Sequence, residues 1–548
     1  MTAADSFARG VTLRANGDAR EAAMAFLMAF ALEPKTDAYR AAAFDVLNVM
    51  DGYRALPASV MAALAQTVGD PRLDLQPLSL VVRNLLGHDD RLPILQNALQ
   101  EGDVAAEAAL GNAAWLLTHP LLIPVLTRAV NISLSLETAF TVLRRYLCES
   151  VAAKRHTTLL VRYRDAVIAM AHQCVTNRYA WAETTAETSA LDRLRNRSDG
   201  DAILVRSAYR PLHKLNESQV ALLPASLAQR WHEEADERQR INTLQTFTPL
   251  TPGLSAAMQS QYEAHPYPRW RTVHMDARQS LHQILTQSIP GVAFDAALER
   301  DVDVLVAGCG TGQPALRLAL GLTNARVLGV DISRASLAYA ARKADELGAR
   351  NISFGIGDIL MLESLPQRFD FIDCSGVLHH MADPAAGLQV LRRMLRPHGV
   401  LMVALYSARG RIGEVAGQEF VRNGGFADTP AGMRAARTAL AALPASHPAR
   451  AVVDTLDFFT LDGLHDLIFN LHESRTSPAA MKQLLAACGL KAIGVNAHPN
   501  LGGNAFKAAH PNPADWANLD LWEDFEARHP HVFAHMIGVW CRLAVDER

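Results

Sequence analysis

The sequence predicts an α/β fold with a mostly parallel sheet, preceded by an all-α N-terminal domain. The first observation is a change of period at Asp301, after which short β-branched runs alternate with helical segments. That succession is typical of a parallel sheet with helices on both faces. The second observation is that residues 1–245 are rich in Ala and Leu, with apolar residues at three- and four-residue spacing and few strand-like runs. This spacing predicts helices.

The composition is that of a globular protein too long for a single core. Of the 548 residues, 49% are hydrophobic and 20% are charged, and the length predicts roughly three to four folding units. The formal net charge is −3, so we predict no nucleic-acid partner. A basic cluster at residues 193–197 is explained at least as well by a solvated helix face.

Cysteine usage and hydropathy predict a cytoplasmic protein without membrane insertion. The six cysteines show no metal-ligand spacing and fit reduced, buried side chains, so no metal is expected. The first ten residues lack an apolar stretch of signal-peptide length. The most apolar stretch, residues 113–126, is interrupted by His119, Pro120 and Pro124, which argues against a membrane span.

One helical hairpin can be predicted closely near the start of the chain. Residues 16–18 form the turn, Ala22, Phe26 and Ala29 line one face of the second helix, and Pro34 ends that helix. The pattern resembles one unit of the tetratricopeptide repeat. No convincing second copy follows at the repeat's spacing of about 34 residues. An irregular helical domain with one such hairpin therefore stays an open alternative.

The predicted order of the second half begins with a linker over residues 235–256. The run 261–270 holds two prolines and dense aromatic residues, so we expect an extended and packed segment. The predicted strands are VDVLVAG, ARVLGVD, NISFGIGD, FDFIDCSGVL, GVLMVALYS, KAIGVNA and GVWCRLAV. An Ala-rich helical insertion is expected over 411–470, and Ser477 is predicted to cap the helix that begins at Pro478.

A glycine turn follows the first of these strands. Gly308, Gly310 and Gly312 stand between that strand and a helix, where a backbone must pass close under a ligand. The spacing is G-x-G-x-G, and the third glycine of a dinucleotide fingerprint would fall on Gln313. We therefore assign this turn, with Cys309 and Gln313, to a cofactor other than a dinucleotide. A nicotinamide-dependent dehydrogenase stays a distant alternative.

Two carboxylates end the next strands. Asp331, about twenty residues after the turn, is placed to accept the hydroxyls of a ribose, and Ile332 follows it. The alternative is a helix cap, which Ser333 can itself serve. Asp358, followed by Ile359, is placed to reach the edge of an adenine, again with a helix cap as the alternative.

Together these positions resemble the class I S-adenosylmethionine (SAM)-dependent methyltransferases over residues 276–410. The motifs that carry the resemblance are VLVAGCGTG, VLGVDIS, GDI, FDFIDCSGVLHHMADP and LRPHGVLMV. Ala307 departs from the family, in which an acidic residue often precedes the first glycine. The resemblance implies a Rossmann-like methyltransferase domain with SAM as cofactor. The cofactor residues it implies are Gly308, Cys309, Gly310, Gly312, Gln313, Asp331, Ile332, Asp358, Ile359 and Ser375.

A wider resemblance covers the layout of the chain. The run 261–270, the segment 472–475 and the sequence LDLW with the aromatic residues after it are similar to a bacterial group that joins a helical, often tetratricopeptide, part to this methyltransferase. Lysine methyltransferases of outer-membrane proteins are similar in layout. We therefore predict three parts. These are a substrate-recruiting helical domain at 1–245, a linker and aromatic lid at 246–275, and the methyltransferase domain at 276–548.

The methyl acceptor is expected over the carboxyl end of the fourth predicted strand, at residues 374–380. The family's N/D-P-P-Y/F signature for amide and base nitrogens is absent there, which counts against those acceptors. His379 and His380 are candidates to touch SAM or to act as a base, although paired histidines more often shape such a loop. Tyr262 and Tyr267 form either a lid over SAM or a structural plug.

We predict methyl transfer to a protein side chain, lysine first, because helical repeats commonly bind polypeptides. A small metabolite or a glycan is the alternative acceptor. A SAM-binding scaffold without turnover is the alternative from another class. A homodimer is left open as the assembly state.

Overall fold

The computed structural model describes residues 2–49, 53–273, 278–534 and 536–544. Two compact units are present. The first contains residues 1–232, 427–438 and 453–461, and the second contains the remainder. The predicted boundary at 275 and 276 falls within 274–277, outside the described residues.

The first unit is built from helices, in agreement with the predicted all-α domain. Its core is one cluster of buried apolar side chains that includes Phe26, Phe140 and Trp181. In chain order the helices are α1 (Ala3–Ala15), α2 (Ala19–Leu32), α3 (Asp37–Val49), α4 (Ala58–Thr67), α5 (Leu78–Leu86), α6 (Arg91–Glu101), α7 (Asp103–Gly111), α8 (Ala114–Leu117), α9 (Leu122–Arg128), α10 (Leu134–Ala152), α11 (Thr158–Arg162), α12 (Arg164–Thr176), α13 (Thr185–Leu194), α14 (Gly200–Ser207), α15 (Glu217–Val220) and α16 (Ala225–Arg240).

The predicted hairpin is formed by α1 and α2. The turn lies at residues 16–18, and Ala22, Phe26 and Ala29 are buried as expected. A Cβ atom at Gly10 would lie 2.7 Å from the ring of Phe26, so the two helices approach closely where Gly10 has no side chain. The hairpin is confirmed, and its membership of the tetratricopeptide family stays a prediction.

Part of the Ala-rich insertion belongs to the first unit. Arg437 is buried and donates two hydrogen bonds to the carboxylate of Glu137, at 3.0 and 2.9 Å. It also donates to the carbonyl oxygens of Phe458 and Ala180, both at 2.7 Å. Periodicity alone cannot assign a helix to one of two units, because both would bury an apolar face.

The later elements follow in the predicted alternation. They are β1 (Gln245–Thr246), α17 (Leu254–Ala264), α18 (Leu281–Ser288), β2 (Val302–Ala307), α19 (Gln313–Gly321), β3 (Ala325–Asp331), α20 (Arg334–Glu346), β4 (Ile352–Ile356), β5 (Phe369–Ser375), α21 (Pro384–Met394), β6 (Leu395–Tyr406), α22 (Ile412–Asn423), α23 (Pro430–Ala441), α24 (Leu461–Leu464), α25 (Pro478–Ala487), β7 (Leu490–Asn496), α26 (Gly503–Ala509), α27 (Leu519–Arg528) and β8 (Met536–Leu543).

Within the described residues, the eight strands form one sheet in the order β1-β4-β3-β2-β5-β6-β8-β7. In this order, neighbouring strands from β1 to β6 are parallel. Strand β8 runs antiparallel to both of its neighbours, β6 and β7. Strand β2 is buried along almost its whole length because side chains from two separate core clusters cover its two faces. This confirms the predicted fold class.

The order of the strands places the site. From β2 the chain moves outward through β3 and β4, then returns to pair β5 with the other side of β2. Ligands of open parallel sheets bind at the carboxyl ends of the strands where the order reverses in this way. That position lies between the loops that follow β2 and β5.

Two local expectations differ from the structure. The run 261–270 is not extended throughout, because its first four residues are the last turns of α17. The predicted linker also contains β1, whose two residues pair with Gly355 and Ile356. Two further predictions concern the whole chain. The six cysteines, all in the described part, are buried and unbridged. Among the described residues, no helix combines the length and the apolarity needed to cross a bilayer.

Candidate active site

The glycine turn after β2 depends on backbone conformations that favour glycine. The φ angles of Gly308, Gly310 and Gly312 are 75°, 51° and 83°. A Cβ at Gly308 would lie 2.4 Å from Val377, and one at Gly312 would lie 2.5 Å from Ala340. The absence of side chains at these two glycines therefore lets the turn pack closely. Gly308 packs against the loop after β5, and Gly312 packs against α20.

The middle glycine lies against the aromatic segment. A Cβ at Gly310 would lie 3.0 Å from the carbonyl oxygen of Tyr267. The turn is held to β3 because the N–H groups of Gly308 and Cys309 both donate to the carbonyl oxygen of Val330, at 2.8 and 3.0 Å. Burial raises the pKa of the Cys309 thiol well above its ordinary value, so Cys309 shapes the turn and is not a nucleophile.

Asp331 at the end of β3 faces this turn. Its carboxylate accepts the N–H of Gly310 at 2.7 Å and the N–H of Ser333 at 2.8 Å. Burial raises its pKa, while the backbone N–H groups oppose that shift. Ser333 caps α20, accepting the N–H of Ser336 at 3.1 Å, so Asp331 does not serve as that cap. Each carboxylate oxygen has a second lone pair for a further donor, which fits a ribose hydroxyl.

Asp358 after β4 is more fully engaged. One oxygen accepts the N–H of Leu360 at 3.0 Å and caps the 3-10 helix Ile359–Ser364. The other accepts the N–H of Thr251, also at 3.0 Å. The capping interpretation is therefore seen in the structure, and the contact of Asp358 and Ile359 with an adenine stays a prediction.

Residues 259–271, here called the lid segment, lie across the ends of β2 and β3. Ser333 donates its hydroxyl to the carbonyl oxygen of Tyr262 at 3.0 Å, and Gln259 donates to that of Ile332 at 2.8 Å. The Trp270 indole N–H donates to the carbonyl oxygen of Thr311 at 3.1 Å. The segment thus borders the assigned cofactor residues on two strands, which is compatible with both the lid and the plug.

Glu263 strengthens this attachment and was missed by the sequence analysis. Its carboxylate accepts the N–H groups of Arg334 and Ala335, at 2.8 and 3.0 Å, at the start of α20. A carboxylate is favourable at a helix N-terminus because the unpaired N–H groups there carry partial positive charge. Glu263 and Arg334 are 71 residues apart in the chain, so no local pattern could have indicated the contact.

The loop after β5 begins with the exposed Ser375, whose hydroxyl donates to Asp373 at 2.7 Å. Burial raises the pKa of Asp373. His379 and His380 follow in a 3-10 helix, Leu378–His380, and both are buried. The structure therefore places Ser375 at the end of β5 and the two histidines in the loop that follows, and the contact of this segment with the methyl acceptor stays a prediction.

The protonation of the two histidines follows from their contacts. His380 Nδ1 lies 2.8 Å from the carbonyl oxygen of His472, which can only accept, so Nδ1 carries the proton. In the neutral ring, His380 Nε2 then accepts from His379 Nε2, 3.1 Å away. Burial lowers the pKa of His379 well below its ordinary value, and His380 and Arg411 lower it further. The protonated form of His379 is therefore disfavoured, and a role of either histidine as a base stays a prediction.

Behind the histidines lies a stack of three side chains. The ring of Tyr406 stacks on that of His379 with centroids 3.7 Å apart, and Arg411 lies 3.7 Å from the centroid of the Tyr406 ring. Arg411 donates to both oxygens of Glu473, at 3.0 and 2.9 Å. The Glu473 side chain is buried. The nearest Arg475 nitrogen lies 3.7 Å from its carboxylate, farther away than the Arg411 nitrogens. The Glu473 carboxylate is therefore paired mainly with the buried Arg411 and only more distantly with Arg475.

Tyr262 joins the two sides of the site. Its hydroxyl donates to Asp466 at 2.9 Å, and its ring meets that of His380 with centroids 6.2 Å apart. Burial raises the pKa of Tyr262 well above its ordinary value, so the side chain is a neutral phenol. Tyr262 therefore donates a hydrogen bond and is not itself a base.

Comparison with known proteins agrees with this geometry. Residues 298–431 match the family model described as a methyltransferase domain. The predicted class of enzyme domain and its cofactor, SAM, are supported by this match, which covers β2 to β6 with the glycine turn and Asp331.

Sequence relatives share parts of the same region. An uncharacterised protein of Synechococcus is 30% identical over 178 residues, covering 30% of this chain and 40% of its own. The ubiquinone biosynthesis O-methyltransferase of Pseudomonas syringae pv. tomato is 30% identical over 122 residues, covering 22% and 52%. The methyltransferase GfsG of Streptomyces halstedii is 35% identical over 114 residues, covering 21% and 41%. The chain thus spans about half the length, or less, of these relatives.

Among solved structures, PKMT2 from Rickettsia typhi in complex with AdoHcy is similar with a TM-score of 0.38 and 17% identity. The similarity covers 51% of this chain and 55% of that one.

Proposed function

We propose that the protein transfers a methyl group from SAM to a protein side chain, with lysine as the first candidate. The observation that carries the transfer is the pairing of Gly310 with Asp331 at the switch point of a methyltransferase domain. The Asp331 carboxylate and the glycine turn hold the positions at which the resemblance places SAM. Across from them, Tyr262, His380 and Tyr406 form an aromatic wall.

When bound, SAM supplies a methyl group on a positively charged sulfur. A nitrogen lone pair forms the new N–C bond as the S–C bond breaks, its electron pair passes to sulfur, and one proton leaves the nitrogen. The residues of the chain hold the two reactants in line, which can contribute on the order of 7–11 kcal/mol. The wall is partly buried, which limits contact with water and favours loss of the positive charge in the transition state.

A protein acceptor is supported by the division of the chain. All residues assigned to the cofactor or the acceptor lie in the second unit, and the first unit is a separate compact body of helices. Stacked helical hairpins present extended surfaces of the kind that bind polypeptides. We infer that the first unit recruits the substrate protein.

One observation favours a second candidate, an oxygen acceptor on a small molecule. The ubiquinone biosynthesis enzymes that share the cofactor region are named O-methyltransferases. The shared stretch covers only 22% of this chain. A cytoplasmic location and the absence of a nucleic-acid partner stay predictions, and a homodimer stays open.

Labelled SAM distinguishes the two candidates. The full-length protein is incubated with methyl-labelled SAM and a lysate of the source cell, and the label is followed into acid-precipitable protein and into the small-molecule fraction. We expect label on protein, located on lysine by mass spectrometry, and none with the variant Asp331→Ala. Label confined to the small-molecule fraction would contradict a protein acceptor, and no transfer at all would contradict the transferase.

A further inference from the structure

Asp466 is a buried carboxylate at the edge of the acceptor side. It is 7% exposed and lies in a π-helical turn, His465–Phe469, a rare distortion that is frequent at functional sites. One of its oxygens accepts the Tyr262 hydroxyl at 2.9 Å and, at 3.5 Å, the side-chain amide of Asn470. Both groups are neutral donors, so the Asp466 carboxylate accepts two hydrogen bonds and gains no charged partner from them.

No cationic side chain pairs with Asp466 among the residues that the structure describes. The other charged groups near the acceptor side are already satisfied or neutral. Arg411 and Glu473 form a closed bidentate pair, and His379 is neutral because burial and nearby positive charge lower its pKa. An ionised carboxylate taken out of water is costly unless a cation pairs with it.

The surroundings of Asp466 also favour a cation. The ring of Tyr262, whose hydroxyl contacts Asp466, meets that of His380 with centroids 6.2 Å apart, whereas the ring of Tyr406 is already covered by His379 and Arg411. Ring faces carry negative charge density and attract ammonium groups, most strongly where water is excluded. A hydroxyl or carboxylate acceptor would gain nothing from these faces, and a carboxylate would be repelled by Asp466.

We propose that Asp466, held by Tyr262, binds the ammonium group of an amine acceptor and makes the site specific for amines. This inference rests on the proposed function and names the residue that selects its substrate class. The ionised carboxylate would bind the protonated amine before the proton is lost and the methyl group is transferred. The position fits because the Tyr262 carbonyl oxygen accepts from Ser333, two residues after Asp331, and the Tyr262 ring contacts that of His380.

The test uses the full-length protein saturated with S-adenosylhomocysteine, and a pair of probes of the same shape. n-Butylammonium chloride reproduces the end of a lysine side chain, and n-butanol replaces its ammonium by a hydroxyl. Binding of each probe is followed by NMR of its methyl signal. We expect n-butylammonium to bind at least tenfold more tightly than n-butanol. Asp466→Asn should remove that preference while the affinity for S-adenosylhomocysteine stays within a few-fold.

The matched control is Asp524→Asn, which changes an exposed carboxylate on α27 and should leave both probes unaffected. Equal binding of the two probes by the unaltered protein would overturn the proposal without any variant, so it remains testable if Asp466→Asn does not fold. An unchanged preference in Asp466→Asn would overturn it as well. If the protein binds S-adenosylhomocysteine but neither probe, the amine site alone is wrong. If it does not bind S-adenosylhomocysteine, the proposed function fails with it.

Discussion

Asp331 is the residue on which the cofactor site depends. Its position could be predicted because the signal is local: it ends a β-branched run about twenty residues after the glycine turn. The structure adds that the carboxylate holds Gly310 of that turn. One side chain therefore shapes the turn, and its contact with the ribose of SAM stays a prediction.

Replacing Asp331 by Ala should weaken SAM binding at least ~10²-fold, since two charge-assisted hydrogen bonds of ~1.5 kcal/mol or more each are lost. Calorimetric titration of the full-length variant measures the effect. Asp524→Ala, on the surface of α27, is the control and should bind SAM as the unaltered protein does. An affinity of Asp331→Ala within a few-fold of the unaltered protein would remove Asp331 from the site.

Contacts between residues far apart in the chain could not be predicted. Tyr262 was singled out for its aromatic neighbours, yet its hydrogen bond to Asp466 spans 204 residues. Arg411 lies 62 residues from Glu473 and sits within a segment that looked like ordinary helical insertion. Periodicity and capping describe local structure, and a single sequence contains no signal for such pairs.

At the scale of elements, the lid segment is fastened to α20 by a buried lysine. Lys343 is fully buried and donates to the carbonyl oxygen of Arg271 at 2.7 Å and to Glu346 at 2.6 Å. Its ammonium lies 5.1 Å from the centroid of the Trp270 ring. Burial lowers the pKa of Lys343 to about 8, against the partial opposition of Glu346.

This shift predicts a dependence of stability on pH. Between pH values of about 8 and 10.5 the unfolded chain keeps the lysine proton and the folded protein has lost it, so the free energy of unfolding rises with pH across that window. Across that window, the free energy of unfolding of the unaltered protein should rise by up to about 3 kcal/mol relative to that of Lys343→Met. Urea unfolding of both proteins from pH 7.5 to 10 measures the difference.

The control for this comparison is Lys491→Met, which removes an exposed lysine on β7. Its difference from the unaltered protein should not change with pH, because the exposed Lys491 side chain is in contact with water in the folded and in the unfolded state. If the difference in free energy of unfolding between Lys343→Met and the unaltered protein does not change with pH over this range, Lys343 is not held in a desolvated state.

The strands were predictable where buried β-branched runs are long. Strands β2, β3, β4 and β5 lie within the predicted segments, since each run needs cover on both faces and turn residues bound it. Strand β1 has two residues, too few for any period to show. The start of β6 lies four residues before the predicted segment, because the LRPHG sequence also pairs in part with β5.

At the scale of the whole molecule, the chain divides less simply than the sequence suggested. Residues 427–438 and 453–461 belong to the helical first unit although they follow most of the methyltransferase domain. A fragment of residues 250–548 would keep Arg437 but lose its partner Glu137. Substitutions in the full-length protein are therefore the cleaner way to separate the roles of the two units.

Arg437→Met tests this division. Removing one partner of a buried ion pair leaves the other charge unpaired, so the first unit should lose about 3–5 kcal/mol of stability. Because no residue assigned to SAM contacts Arg437, SAM affinity should be unchanged. Chemical unfolding and calorimetry measure the two quantities, with Arg422→Met, an exposed arginine on α22, as the control. Equal stability of the two variants would contradict the assignment of residues 427–438 to the first unit.

A pair of calorimetric titrations tests the cofactor assignment most directly. The full-length protein is titrated with SAM and, separately, with NADH at the concentrations that saturate SAM. We expect SAM to bind and NADH not to bind, because Gln313 stands where a dinucleotide turn has its third glycine. Tight binding of NADH without binding of SAM would contradict the methyltransferase and favour a nicotinamide-dependent enzyme.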